Sequence, residues 1–283
     1  MYAISPLRYP GAKWRLEAFI SSLLKLNRID GGHYAEPYAG GCSLALSLLF
    51  SEQVKEIHLN DLDRSIYAFW KSVTEYSSEL IERIHATEIN IETWREQKEI
   101  QKNKRTASIV ELGFSTFFLN RTNRSGILNA GVIGGKAQLG KWRIDARFHK
   151  QHLIERVQKI ATFKSRIHVT KLDALDFVRR RGASLPAKSF LYLDPPYFVK
   201  GQELYLNSYR PADHARVAEV VLGTVGIPWM VSYDDTTEIR ALYKTARKEK
   251  YELRYSASLS RKGNEIIFLS PGLRINKALL GKV

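Results

Sequence analysis

The sequence is poor in sulfur, with one cysteine and two methionines in 283 residues. A single thiol, Cys42, excludes an intrachain disulfide and the cysteine-rich zinc sites of fingers and deaminases, and it fits a reducing cytoplasm. Cys42 lies in a glycine turn, where a small buried residue is expected rather than a nucleophile. No apolar run approaches the roughly eighteen residues that a membrane span needs, and the first residues have no signal-peptide core. A membrane partner is therefore not expected. Histidines number seven, and His149 and His152 have no carboxylate or thiol spaced to complete a site. They read as a basic surface pair, and no metal is expected. Acids are short as well, 29 against 44 Lys and Arg, for a formal net charge of +15. Such an excess points to a polyanionic partner, which with membranes set aside means nucleic acid.

What is present begins with Phe190-Leu191-Tyr192-Leu193-Asp194-Pro195-Pro196-Tyr197. The apolar run reads as a buried strand of a parallel sheet. Two successive prolines cannot donate ladder hydrogen bonds, so the strand must end there. A rigid turn is left at a strand's carboxyl end, where open α/β sheets put their ligands. Asp194 and the Pro195 carbonyl can accept hydrogen bonds from an exocyclic amine, and Tyr197 can stack on a planar base. The competing reading is a loop that merely caps a strand.

Upstream, Tyr9, a Pro10-Gly11 turn and Lys13 precede the apolar spacing Trp14, Leu16, Phe19, Ile20, Leu23, Leu24 of an amphipathic helix. Tyr34-Ala35-Glu36-Pro37-Tyr38-Ala39-Gly40-Gly41-Cys42 then reads as strand, acid, glycine pair and helix. It is not the dinucleotide pattern G-x-G-x-x-G. Glu56 to Leu59 forms a second strand, ending in Asp61 and Asp63. An acid there, some twenty residues after the glycine turn, is placed to bind ribose hydroxyls. Asp61 is preferred because it comes sooner after the apolar run; helix capping is the other role open to either. Arg166 to Thr170 is a further strand, and Asp173 after it can bind an adenine amine or cap a helix. A helix over 213–222, a strand over 229–232 and a closing hairpin of 251–255 with 265–269 complete the reading.

Between Ala68 and Phe163 helical periodicity dominates. From Arg95 to Arg166 there are sixteen Lys or Arg against five Asp or Glu, a net of +11. Most of the excess charge lies in this quarter. Asn120-Arg121-Thr122-Asn123-Arg124 ends an apolar helix, and a flexible glycine loop over 129–136 leads through Lys136 to Lys141-Trp142-Arg143. Arg and Asn can read base edges while Lys and Arg hold phosphates.

With these pieces in place the chain resembles the alpha-group DNA adenine N6-methyltransferases, the DNA adenine methylase type. Asp-Pro-Pro-Tyr looks like their catalytic motif, the aspartate form pointing to adenine. Tyr38-Ala39-Gly40-Gly41-Cys42 resembles their aromatic-x-Gly-x-Gly cofactor turn, departing at Cys42. The resemblance covers nearly the whole chain and implies an α/β, Rossmann-like class I methyltransferase fold, with a mixed seven-stranded sheet and an inserted helical DNA-recognition domain. Residues 1–67 and 164–283 would form the catalytic domain and 68–163 the basic recognition domain. It implies S-adenosylmethionine as cofactor, held by Tyr9, Lys13, Glu36, Tyr38, Gly40, Gly41, Asp61, Asp173 and Asp194. Asp194, Pro195, Pro196 and Tyr197 would be catalytic, methylating adenine N6 in a double-stranded DNA site after base flipping. Asn120, Arg121, Asn123, Arg124, Lys136, Lys141 and Arg143 would bind the DNA. A cognate restriction endonuclease is a possible partner. Rival readings are cytosine N4 or an RNA base as substrate, protein glutamine methylation (where asparagine normally replaces Asp194), and a catalytically silent DNA-binding protein.

Overall fold

The computed structural model describes residues 4–9, 13–199, 209–224, 226–254 and 262–282. The expected turn at Pro10 and Gly11 and the last residue of the expected hairpin strand 251–255 lie outside them. Seven strands form one mixed sheet, as the resemblance implied, and their order is β3-β2-β1-β4-β5-β7-β6. They are β1 (Gly32–Glu36), β2 (Val54–Asn60), β3 (Ile167–Thr170), β4 (Ser189–Leu193), β5 (Trp229–Asp234), β6 (Arg247–Arg254) and β7 (Lys262–Leu269). β1 pairs in parallel with β2 and β4, and β4 with β5. β7 runs antiparallel to both β5 and β6. The order therefore reverses between β1 and β4. That reversal opens a crevice at their carboxyl ends, the place where such sheets receive ligands.

The chain divides into two compact units, Gly11–Ala39, Leu44–Asn60 and Leu172–Val283 in one, Met1–Pro10, Gly40–Ser43 and Asp61–Lys171 in the other. In the first, β4 is buried at all five positions, which explains its unbroken apolar sequence. Strand alternation splits it into two faces. Leu191 and Leu193 join Ala35, Val231, Tyr233, Ile266 and Phe268 in an apolar core. That core is covered by α8 (Ala174–Arg180), α9 (Pro211–Thr224) and α10 (Thr237–Leu242). Phe190 and Tyr192 leave the opposite face, where Phe190 stacks with Tyr34.

The expected elements differ mainly at the hairpin. β6 starts at Arg247 rather than at Tyr251, because the charged stretch Arg247-Lys248-Glu249-Lys250 also pairs with β7 as an edge strand. An edge strand can carry charge along its length, and natural sheets use such charge against mispairing.

The second unit is built on α3 (Arg64–Glu75), α4 (Ser77–Ala86), α5 (Ile91–Lys102), α6 (Ile109–Thr122) and α7 (Lys150–Ala161). α6 opens with a reciprocal cap, Ser108 Oγ accepting from Glu111 N and Glu111 Oε2 from Ser108 N. It is buried almost all round, so its apolar residues need no stripe. Gly113 permits that burial: a Cβ there would lie 2.7 Å from the Ala68 carbonyl of α3. Compared with the expected 68–163, this unit also takes in residues at the N-terminus and around the glycine turn. The reason is that Asn120 and Arg121 of α6 hold the backbone of Pro6 and Arg8.

Candidate active site

Asp194 follows β4 directly, and Glu36 ends β1, so both lie at the reversal point of the sheet. By alternation Glu36, Asp194, Ser232 and Glu265 all leave the face opposite the apolar core. Asp194 Oδ1 accepts from Ser232 Oγ at 2.6 Å and lies 3.2 Å from Lys13 Nζ. Ser232 in turn shares a 2.8 Å hydrogen bond with Tyr192 Oη. Among the described residues, both partners of Asp194 use Oδ1. Burial pushes the Asp194 carboxyl up, with Lys13 and Ser232 opposing that rise.

Lys13 is the hub of this edge. Its ammonium also lies 3.0 Å from Glu265 Oε2 and hydrogen-bonds Tyr197 Oη. It stands 4.8 Å from the centre of the Tyr197 ring. Burial alone would lower the lysine's pKa, but Asp194 and Glu265 outweigh it and the net direction is up. Glu265 is fully buried and accepts a second hydrogen bond from Tyr251 Oη at 2.6 Å. The turn beyond Tyr197 is fixed by Asp234, whose two oxygens accept from Phe198 N at 2.9 Å and Val199 N at 2.8 Å.

Glu36 is buried and accepts from Tyr34 Oη at 3.0 Å. Burial raises its pKa to about 8, with Tyr34 opposing and Asp194 adding to the rise. Tyr38 shares a 3.0 Å hydrogen bond with Tyr209 Oη. Asp173 caps α8, accepting from Leu175 N at 2.9 Å and Asp176 N at 3.4 Å. The capping role left open by the sequence is thus occupied, with the side chain exposed. Asp194 and Glu265 outnumber Lys13, while Glu36, with its raised pKa, adds negative charge only toward about pH 8 and above. A net negative edge suits a cofactor with a sulfonium and an ammonium group, so these residues fit S-adenosylmethionine.

In the helical unit, the Tyr9 ring packs over the glycine turn. A Cβ would meet Tyr9 at 2.7 Å from Gly40 and at 2.6 Å from Gly41. Both glycines are therefore needed for Tyr9 to sit there. Cys42, where the second motif glycine is expected, takes a φ of 49°. It keeps the left-handed backbone of a glycine and is buried, as expected of a small residue. Asp61 accepts from Gly40 N at 3.0 Å and from Asp63 N at 2.9 Å. Burial raises its pKa to about 7, against those two N–H groups. Asp63 caps α3 through Ser65 N and pairs with Lys104 at 3.2 Å. Asp63 takes the capping role, while Asp61 ties the glycine turn to the residues after β2.

The expected DNA-binding residues separate into two groups. Arg124, Lys136, Lys141 and Arg143 are exposed. Asn120, Arg121 and Asn123 are buried and turned inward, contrary to expectation. Asn120 binds Arg8 N at 2.7 Å, Arg8 O at 2.8 Å and Gly126 O at 2.8 Å. Arg121 donates to the carbonyls of Pro6 and Ser5; burial, then Arg156 and Arg8, lower its pKa to about 9. Asn123 accepts from Trp94 Nε1 at 2.7 Å and donates to Ile127 O and Leu128 O. In this conformation the three close the interior of the unit, because buried polar groups must be paired. The glycine loop is not slack either. Gln138 donates to Ile133 O at 2.8 Å and Gly135 O at 2.6 Å, and accepts from Ile144 N at 2.8 Å.

Several residues of this architecture were not singled out from sequence. Ser232 and Asp234 end an apolar strand on polar groups, the signal that marked Asp61 and Asp194. Glu265 opens the apolar run of β7, and nothing local distinguishes it from a surface acid. Leu139 and Trp142, 87% and 59% exposed beside Lys141 and Arg147, are large apolar groups on a basic surface.

The sequence profile described as D12 class N6 adenine-specific DNA methyltransferase matches residues 9–256. The Type II methyltransferase M.MjaIII of Methanocaldococcus jannaschii is 23% identical over 220 residues, covering 73% of each chain. Among solved structures, the rRNA methyltransferase aviRa of Streptomyces viridochromogenes aligns with a TM-score of 0.40 at 14% identity. That alignment covers 92% of this chain and 85% of the other.

Proposed function

The chain belongs to the D12 class of N6 adenine-specific DNA methyltransferases, and on that premise we propose which of its residues carry the reaction. The family activity is methylation of adenine N6 in DNA. The finer reading is that S-adenosylmethionine is the methyl donor, that the substrate is a specific site in duplex DNA, and that the target adenine is flipped out of the helix. A reducing, DNA-containing cytoplasm is its setting. M.MjaIII is a Type II methyltransferase, and a cognate restriction endonuclease would be the corresponding partner here.

Adenine N6 is a weak nucleophile because its lone pair is delocalised into the ring. Bound S-adenosylmethionine supplies an electrophilic methyl group. Asp194 Oδ2 accepts one N–H of the amine and the Pro195 carbonyl the other, which favours a tetrahedral nitrogen with its lone pair free. Positive charge develops on N6 as it gains the methyl group, a fixed carboxylate stabilises it, and N6 returns to neutrality by releasing one of its two protons to water. Ser232 and Lys13 hold Oδ1, oppose the upward push of burial on the carboxyl and leave Oδ2 for the substrate. The step is then mainly positioning, with no covalent enzyme intermediate. Tyr197 stacks on the extruded base, offsetting lost base stacking. Asp61 accepts from the ribose hydroxyls of the cofactor. Tyr38, Gly40 and Gly41 are assigned to the cofactor by their match to the aromatic-x-Gly-x-Gly turn, and Tyr9, Glu36 and Asp173 by the resemblance to the family as a whole. Arg124, Lys136, Lys141 and Arg143 contact DNA.

The observation that carries this reading is Asp194 gripped by Ser232 and Lys13 at the reversal point of the sheet. Asp194→Ala is expected to abolish methyl transfer while retaining duplex binding, since phosphates supply most of that affinity. Asp194→Asn keeps the shape and one acceptor and should transfer slowly. Transfer at the normal rate by Asp194→Ala would remove Asp194 from the chemistry. For the cofactor, Asp61→Ala should weaken S-adenosylmethionine binding in calorimetry by about 1.5–3 kcal/mol. Unchanged affinity would remove Asp61 from that role.

A further inference from the structure

A second cluster lies on the sheet away from Asp194. His33 is the second residue of β1, three before Glu36, so alternation puts the two side chains on opposite faces. Its register partner on β2 is Glu56, and His58, two residues on, shares that face. His33 Nδ1 lies 3.0 Å from His58 Nε2 and 3.8 Å from Glu56 Oε2. The imidazole rings stack at 5.3 Å between centres, 18° apart in plane. One donor atom from each of the three residues falls within 4.8 Å of the others. His33 and Glu56 are half-buried, their side chains 17% and 22% exposed.

We propose that His33, Glu56 and His58 form a binding site for a divalent transition-metal ion, zinc being the best match, which clips β1 to β2. Two imidazoles and a carboxylate with no thiolate form a borderline ligand set that suits zinc. Zinc bonds of about 2.0–2.2 Å in tetrahedral geometry separate two donors by roughly 3.3 Å. The separations of 3.0 Å and 3.8 Å measured from His33 Nδ1 bracket that value. Small side-chain adjustments therefore convert the cluster into three ligands, and partial exposure admits water as the fourth. The proton now shared between Nδ1 of His33 and Nε2 of His58 moves to the opposite nitrogen of its ring, so both lone pairs face the ion. Rigid backbone holds all three residues, because parallel register and not a loop brings them together. The site uses none of the groups assigned to methyl transfer. It also departs from the expectation, drawn from His149 and His152, that the chain holds no metal.

The test uses the full chain stripped with EDTA and titrated with zinc chloride against a chromophoric chelator. One zinc ion per chain should bind, and zinc should raise the thermal unfolding midpoint, reversibly on adding EDTA. Cobalt(II) in its place should give the visible absorption of a four-coordinate site. His33→Asn and His58→Gln retain hydrogen-bonding groups near the original nitrogens but are poor ligands. Each should weaken zinc at least about tenfold, with metal-free unfolding midpoints confirming that they fold. Glu56→Gln, at a half-exposed position, gives the same readout should either histidine variant fail to fold. His149→Ala with His152→Ala should leave the affinity unchanged. Absence of saturable zinc binding, affinity unaltered by Glu56→Gln, or binding lost with the His149 and His152 pair would each overturn the proposal.

Discussion

At the end of β4 one lysine ammonium sits between two carboxylates, 3.2 Å from Asp194 and 3.0 Å from Glu265, while in the helical unit Lys136, Lys141 and Arg143 stand exposed. The same contrast recurs within one stretch. Arg121 is buried against backbone carbonyls, and Arg124, three residues on, is exposed. Charge of one kind therefore does two jobs here. Buried, it fixes the position of other groups, and its loss should appear as stability or rate. Exposed, it is available to phosphates, and its loss should appear as salt-dependent affinity.

The largest effect expected from breaking this contrast is at Lys13. Lys13→Met leaves Asp194 and the buried Glu265 without their cation, and removing one partner of such a group costs about 3–5 kcal/mol. Urea unfolding at neutral pH should show that loss, with recovery on acidification as the carboxylates take up protons. Lys141→Met should be neutral in the same experiment, and equal losses would erase the distinction. Arg121→Met should cost about 1–3 kcal/mol by leaving the Pro6 carbonyl unpaired, whereas Arg124→Met should stay within about 0.5 kcal/mol.

Glu36 sharpens the comparison through pH. Its folded value of about 8 exceeds the ordinary 4.5, so between these values the native state binds more protons than the unfolded chain. The stability it contributes is full below pH 4.5 and is lost as pH rises through about 8, at up to about 1.4 kcal/mol per unit. Glu36→Gln should remove that slope, so unfolding free energies of the two proteins should diverge in the variant's favour toward pH 8. Parallel pH profiles would mean that Glu36 ionises normally. The smallest expected effect is at the exposed lysines. Lys136→Ala or Lys141→Ala should each reduce the log–log slope of duplex affinity against salt by about 0.9 if it touches phosphate.

Much of this arrangement was legible in the sequence because the signals are local. An apolar run ended by two prolines announces β4 and its turn, and acids closing apolar strands announce Asp61 and Asp194. The residues that escaped depend on distant chain. Glu265 becomes part of the edge only because β7 pairs with β5 and Lys13 arrives from the other end of the sequence. Asn120, Arg121 and Asn123 read as a surface because polar residues at a helix end look alike facing in or out. What decides the matter is that residues 5–8 and Trp94 fold back onto them. The glycine loop read as flexible because its tie, Gln138, is one side chain binding three backbone groups, a pattern with no sequence signature.

The most direct measurement is the identity of the methylated base. Duplex DNA containing all four bases is incubated with the protein and S-adenosylmethionine tritiated in the methyl group, then digested to nucleosides and separated. The account predicts label in N6-methyldeoxyadenosine alone, and none when Asp194→Ala replaces the native chain. Label in N4-methyldeoxycytidine, or label in N6-methyldeoxyadenosine that persists at the native rate in Asp194→Ala, would contradict it.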